Sequence, residues 1–380
     1  MTAPFAAAFA EGDPATLASR IAAQLPTDQE AKLGVLYLSE PAAQALPMVL
    51  GELAAATGIA HWVGGVGLGV CAAGAESYEL PAAAALTAGL PADKFRLFAA
   101  TSDPGADLPQ HHARWIESVQ PSLALVHGDP RCPDILRATV DTASASGAFL
   151  VGGLMSHRCP EPLVAGEVGE GRRAADALGK AGIAGLLLAP EVAVATGLTQ
   201  GCSPIGPVRR IDEARDNVVM AIDGRPALAA FYDDIGPELA NDPRRLGSVI
   251  FAGLPVPGSD TGDYLVRNLM AIDPRQGWIV LGAEVSPGDP ILFCRRDPDS
   301  AKKDLGRMLN QLKGRLPGPP KAGIYVSCIA RGAALFGEPG VESGLIREVL
   351  GDFPLIGFFA NGEISRDRLY GHTGVLTLFT

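Results

Sequence analysis

Asn361 and Glu363 stand two apart in GFFANGEI (357–364), so on a strand their amide and carboxylate share one face. The two glycines of that stretch let the backbone pass close to a neighbouring group. His372 follows in YGHTG, across a short connection, and reaches the same surface if the strand at 373–379 pairs back. Arg331 ends SCIARG (327–332), just beyond an apolar strand that holds Cys328, and is costly to bury unless a carboxylate or an anionic ligand meets it. A guanidinium for a carboxylate and Glu363 for an ammonium would together suit a small zwitterion. The alternative is a Glu–His or Glu–Arg structural pair that closes the last strand. In TQGCSPIGP (199–207), two glycines and two prolines fix an ordered loop from which Gln200 and Cys202 project. A domain-crossing turn with a buried thiol is the other reading of that stretch.

Other chemistries lack their residues. The chain has no GxxxxGK[ST], GxSxG or HExxH. GLGVCA (67–72) has the GxGxxA form, but the proline of AGAESYELP follows too soon for the helix that a dinucleotide site needs. Cysteines at 71, 132, 159, 202, 294 and 328 never form Cys-x-x-Cys and never cluster with histidine at zinc spacing, which fits reduced thiols in a cytoplasmic protein with no metal. His111 and His112 lie in a polar stretch and read as surface. His157 ends a strand much as Asn361 does.

The elements that must position these groups recur three times. LGVLYLS (33–39), a helix over 43–57 and HWVGGVGLGVC (61–71) form the first unit; SLALVHG (122–128), a helix over 133–147 and FLVGGLMSHRC (149–159) form the second. GIYVSCIARG (323–332), a helix over 341–352 and PLIGFFANGEI (354–364) form the third. Each predicts a parallel strand pair with a right-handed crossover, followed by one more apolar strand, at 94–101, 183–189 and 373–379 respectively. Between the second and third units, 217–234 predicts a strand, an Asp-Gly turn and a helix. Residues 264–297 predict an antiparallel meander, and 299–313 an amphipathic helix. The expected fold is α/β, in two related domains, 1–215 and 216–380, with mixed sheets built from strand-helix-strand units and helices packed on them.

A net charge of −11 without a basic stretch argues against nucleic acid or an anionic membrane as partner. The longest apolar run, 61–75, falls short of the roughly 20 residues that a spanning helix needs, and the first residues lack the positive start of a secretory signal.

At these residues the chain resembles the FIST family, over roughly 30–380. Gln200, Gly201, Cys202, Pro204, Ile205 and Gly206 match the core of the family's junction between its N and C domains, and Asp223 to Ala227 match its Asp-Gly-Arg-Pro-Ala turn. YLVRN (264–268), SCIARG, GFFANGEI and GHT (371–373) look like signatures of the C domain. The resemblance implies a sensory module that binds a small molecule, an amino acid or a relative of one, and works by a population shift rather than by catalysis. No kinase, cyclase, chemotaxis or F-box segment is recognisable, so the output would pass to a separate signalling protein. The ligand-binding residues expected are Gln200, Cys202, Cys328, Arg331, Asn361, Glu363 and His372, with no cofactor. One subset of the family is described as haem-binding nitric-oxide sensors, for which His61, His127, His157 and His372 are the axial candidates. A Cys–His hydrolase using Cys202 or Cys328 with His372 is a further alternative.

Overall fold

All three repeats fold as parallel strand pairs: Leu33–Ser39 with His61–Gly67, Leu123–Gly128 with Phe149–Leu154, and Ala322–Cys328 with Leu355–Ala360. The computed structural model describes residues 5–26, 31–72, 74–169, 171–240, 246, 249–258 and 262–380. The crossover helices are Leu46–Thr57, Ile135–Ser146 and Val341–Leu350. The chain divides into two compact units, one of residues 1–199, 305–369 and 373–380, the other of 200–304 and 370–372.

In the first unit, each parallel pair is completed from both sides. The first strand of each pair takes an antiparallel neighbour: Ala82–Ala88, Ile183–Leu188 and Thr373–Phe379, in repeat order. The second strand takes its neighbour from another repeat. Leu163–Glu167, which follows the second repeat, pairs into the first sheet; Glu363–Arg366, which follows the third, pairs into the second; Gly69–Ala72, which follows the first, pairs into the third. The exchange is cyclic, so each repeat fills an edge that another would leave open.

This exchange corrects several expectations. The stretch 61–71 is two strands in two sheets, broken at Leu68, and 354–364 is likewise broken at Asn361 and Gly362. Phe95–Thr101 does not complete the first repeat but edges the second sheet beside Ile183–Leu188. The strand that does complete it, Ala82–Ala88, is alanine-rich and carries little strand propensity. Strands 183–188 and 373–379 lie where expected.

Alternate residues of the repeated strands face two ways. Leu33, Val35 and Tyr37, Leu123 and Leu125, and Ile324 and Val326 share one central core. The intervening residues face separate outer cores under the helices: Leu36 and Leu38 meet Val49 and Leu53, Val126 meets Ile135, and Tyr325 shares a core with Ile346 and Leu305. The glycines in the second strands have one cause. Gly64, Gly152 and Gly357 pair with Leu36, Val126 and Tyr325, and a Cβ on any of them would collide with that partner's carbonyl oxygen. Gly64 and Gly152 also have φ of 140° and 147°, values side chains rarely adopt.

The second unit is antiparallel, as expected from its turns. Its strands run in the order Pro290–Arg296, Arg209–Arg215, Val218–Ile222, Trp278–Leu281, Tyr264–Asp273, Ile250–Pro255, and the last pairs back with the first, so the sheet closes on itself. Asp223 and Gly224 form the expected hairpin turn, both with positive φ, and the helix Ala227–Ala240 packs Phe231 against Phe293 inside. Among the described residues no helix is long and apolar enough to cross a membrane.

Candidate functional site

Arg331 lies just past the end of the third repeat's first strand and is fully buried. Its Nε donates to Glu342 Oε1 at 2.8 Å, and its Nη2 lies 2.6 Å from the same oxygen. Tyr325 Oη donates to Oε1 at 2.8 Å and Ser327 Oγ to Oε2 at 2.7 Å. Tyr325 and Ser327 point to the outer face of the third sheet, and Glu342 meets them there from the first turn of the helix above. Burial opposes the guanidinium's charge, but Glu342 holds Arg331 protonated, with its pKa raised. The same burial, with Glu342 adding to it, raises the Tyr325 phenol. Arg331 Nη1 is buried and keeps no hydrogen-bond partner among the described residues.

Glu363 is also fully buried. Its Oε2 accepts from the Thr373 N–H at 3.1 Å and from Thr373 Oγ1 at 2.7 Å. Its Oε1 has no N–H or O–H donor among the described residues. Burial pushes its carboxyl up to about 7, against the pull of Thr373, of the Cys328 thiol and of Arg331's charge. This group titrates near neutrality inside the protein.

A cleft of about 450 Å³ adjoins the cluster, lined by Glu11, Glu76, Tyr78, Glu79, Ile329 and Ala333 among others. Tyr78 Oη donates to Glu76 Oε2 at 2.6 Å, and its ring centroid lies 4.5 Å from that of Phe359. The cleft and the Arg331 cluster meet at Gly332, where any side chain would strike the Tyr78 hydroxyl. Burial raises the Glu76 carboxyl; Tyr78 and the Gly340 N–H pull it down, and Glu342's charge pushes it up again. Among the described residues the cleft's lining thus carries three glutamates and no basic side chain.

The residues singled out from sequence divide between the two units. Cys328, Arg331 and Glu363 come together in the first unit. Asn361 does not join them: it is exposed in the bend between two strands, while Glu363 is enclosed. The bend breaks the strand at 361–362, so the two-residue periodicity that would put them on one face does not run through it. Arg331 meets a carboxylate of the chain itself, Glu342, where the sequence left a ligand open. Gln200, Cys202 and His372 belong to the second unit. Gln200 and Cys202 end and begin strands instead of projecting from a loop. Gln200 is engaged on both sides: its N–H donates to Asp304 Oδ2 at 2.7 Å and its Nε2 to the Tyr264 carbonyl at 2.9 Å. Cys202 is buried, its carbonyl accepting from Tyr264 Oη at 2.6 Å. Its thiol hydrogen-bonds Cys294, which with burial raises the Cys294 thiol. The His372 ring lies 4.3 Å from that of Phe251.

Glu342, Glu76 and Tyr78 were not singled out from sequence. A carboxylate in a helix's first turn ordinarily reads as a solvated end, and Glu76 lies in a strand of only three residues, Ala75–Ser77, that Tyr78 follows. Of the histidines considered as haem ligands, His127 is fully buried, its Nε2 held 2.9 Å from Tyr37 Oη and its ring 5.8 Å from Phe358, so the packing around it leaves no face for a macrocycle. His157 is exposed and His61 and His372 are partly buried.

The models of two family domains match the chain: FIST N domain over 32–225 and FIST C domain over 227–366. A similar protein is the uncharacterized Rv0628c of Mycobacterium tuberculosis, 30% identical over 336 residues, covering 83% of each chain. The uncharacterized Mb0898c of Mycobacterium bovis is 32% identical over 234 residues, 57% of this chain and 60% of its own.

Proposed function

This chain belongs to the FIST family, whose domains are generally sensory modules that bind small ligands in signal transduction, and from that premise we propose that it senses an amino acid or a related ammonium-bearing metabolite. The observation that carries this reading is the glutamate-lined cleft at Tyr78, set against a buried cluster in which Arg331 Nη1 keeps no hydrogen-bond partner among the described residues. An ammonium group would be held by Glu76 with Glu11 and Glu79 around it, in charge-assisted hydrogen bonds. The ligand's carboxylate would compete with Glu342 for Arg331. That exchange would shift the loop after Cys328 between two arrangements, and the difference in ligand affinity between them would be the signal.

Binding without catalysis, in the cytoplasm, and output through a separate signalling protein complete the proposal; neither nucleic acid nor a membrane is part of it. No cofactor is needed for it. Haem remains an alternative for His61, His157 or His372, and a Soret band on hemin titration of purified protein would favour it. A Cys–His hydrolase would instead show turnover of an amide or thioester substrate that is lost with Cys202→Ala or Cys328→Ala.

A thermal-shift screen with the proteinogenic amino acids, their amides and simple amines tests the reading. A ligand present at about 100 times its Kd should add roughly 2.7 kcal/mol of stability. Stabilisation by ammonium compounds, absent with their N-acetylated forms, is expected. Uniform silence of the amine panel on folded protein would contradict it.

A further inference from the structure

A second cleft in the same unit has the opposite electrostatic character. It encloses about 620 Å³ beside the strand Phe95–Thr101, the helix Pro104–Val119 and the strand Leu163–Glu167. Phe95, Leu97 and Ala165 supply apolar wall, and the Phe95 ring stands edge-on to His61 with centroids 5.3 Å apart.

The two carboxylates in the lining are already matched. Glu167 is ion-paired with Arg172 and lies 3.5 Å from His61 Nε2, and Asp176 pairs with Arg173 at 2.8 Å. Arg96 is not. Its Nη1 donates to the carbonyls of Ala92 and Phe95 at 3.0 and 2.9 Å, its guanidinium lies 5.3 Å from the Trp115 ring centroid, and it makes no ion pair among the described residues. Both of those carbonyls are neutral, so the charge is solvated by dipoles but not cancelled. His111 and His112 face the same space from the helix. On a chain whose net charge is −11, a concave surface with a surplus guanidinium and three imidazoles around apolar wall is selective for negative charge.

We propose that this cleft is a separate binding site for a small organic anion, a carboxylate on an aromatic or short apolar body, with Arg96 holding the carboxylate and Phe95 and Leu97 receiving the body. It does not rest on the ammonium site, since none of the residues lining this cleft lines the other. The size suits such a ligand, as small-molecule sites commonly enclose roughly 300–1,000 Å³.

The imidazoles give the site a pH dependence. Burial lowers the His61 pKa, and the charges of Arg172 and Arg96 lower it further, against the hydrogen bond to the Lys32 carbonyl. Burial lowers the His112 pKa too, with His111 and Arg96 adding to it. Both are neutral at mildly alkaline pH and gain charge on acidification. A bound anion offsets the two arginines and favours that protonation, so binding tightens as pH falls and takes up protons.

Calorimetric titration of the full chain with benzoate, and separately with inorganic phosphate, at about pH 7.5 and about pH 5.5 tests the site. Benzoate is expected to bind, more tightly at the lower pH, and Arg96→Met to weaken it by about tenfold or more, the loss of one charge-assisted contact. His61→Gln should keep the binding at the higher pH and lose part of the gain on acidification. His111→Glu, a change at an exposed rim position that folding tolerates, should weaken benzoate severalfold even if Arg96→Met proves unstable. The proposal is overturned if benzoate gives no saturable heat at about 10 mM, or binds the Arg96→Met and His111→Glu proteins as it binds the original. Phosphate binding as tight as benzoate would overturn the assignment of an apolar body.

Discussion

Tyr37–His127 and Arg331–Glu342 are both enclosed in the unit built from the repeats, and they meet burial differently. The first lies on the inner faces of the first and second sheets, where Tyr37 and Phe358 rings pack 4.7 Å apart. Among the described residues no charged group meets the imidazole, and burial drives the His127 pKa down to about 3, so it is neutral. The second lies on the outer face of the third sheet, where Glu342 keeps Arg331 protonated while Tyr325 and Ser327 donate to the same carboxylate. A neutral pair closes the core with little at stake. A charged pair needs every partner, and it stands beside a cleft, with donor capacity left over on Arg331. That difference is the reason the proposed site is set beside the third repeat.

Removing one member of the charged pair should have the largest effect. Glu342→Ala leaves a buried guanidinium without its counter-charge, and a loss of about 3–5 kcal/mol is expected in urea unfolding. Combining Arg331→Met with Glu342→Leu should recover most of it, since two matched apolar side chains carry no such penalty. A full loss in the double variant would mean that shape, not charge, governs the site.

The next effect separates the two inclusions by pH. Glu363 is raised from 4.5 to about 7, so the folded protein holds a proton that the unfolded chain has released, and its contribution to stability falls as pH rises through that window. His127 is lowered from 6.5 to about 3, so the unfolded chain binds the extra proton, and its contribution rises with pH over that range. Between pH 4.5 and 6.5 the two slopes oppose, each at most roughly 1.4 kcal/mol per unit. Glu363→Gln should therefore expose a stability that increases with pH there, and His127→Phe one that decreases. Denaturant midpoints across that window read both.

The smallest change is Tyr37→Phe, which removes the hydroxyl at His127 Nε2. It should cost about 1 kcal/mol, well below Glu342→Ala, in the same unfolding measurement.

The repeats could be read because glycine-interrupted apolar strands recur with a helix between them, and that pattern is local. The cyclic exchange could not. A glycine that relieves a backbone collision, as at Gly357, and one at a bend that sends the chain to another sheet, as at Gly362, look alike in sequence. Arg331 and Glu363 were legible as groups needing partners, since charge near an apolar strand demands one. Their partners were not, because Glu342 and Thr373 are ordinary at a helix start and a strand start, and only the fold brings them near. Gln200 and Cys202 stood out through their glycines and prolines, residues that here shape the backbone of the second unit while Tyr264 engages the Gln200 side-chain amide and the Cys202 carbonyl.

The most direct measurement is calorimetric titration of the ammonium compound that stabilises the protein best, into the unaltered chain and into Glu76→Gln. The substitution keeps the size of the side chain and removes its charge. Affinity reduced by roughly 10- to 100-fold is expected, the worth of one charged hydrogen bond. Equal affinity for both proteins would contradict an ammonium site at Glu76 and Tyr78.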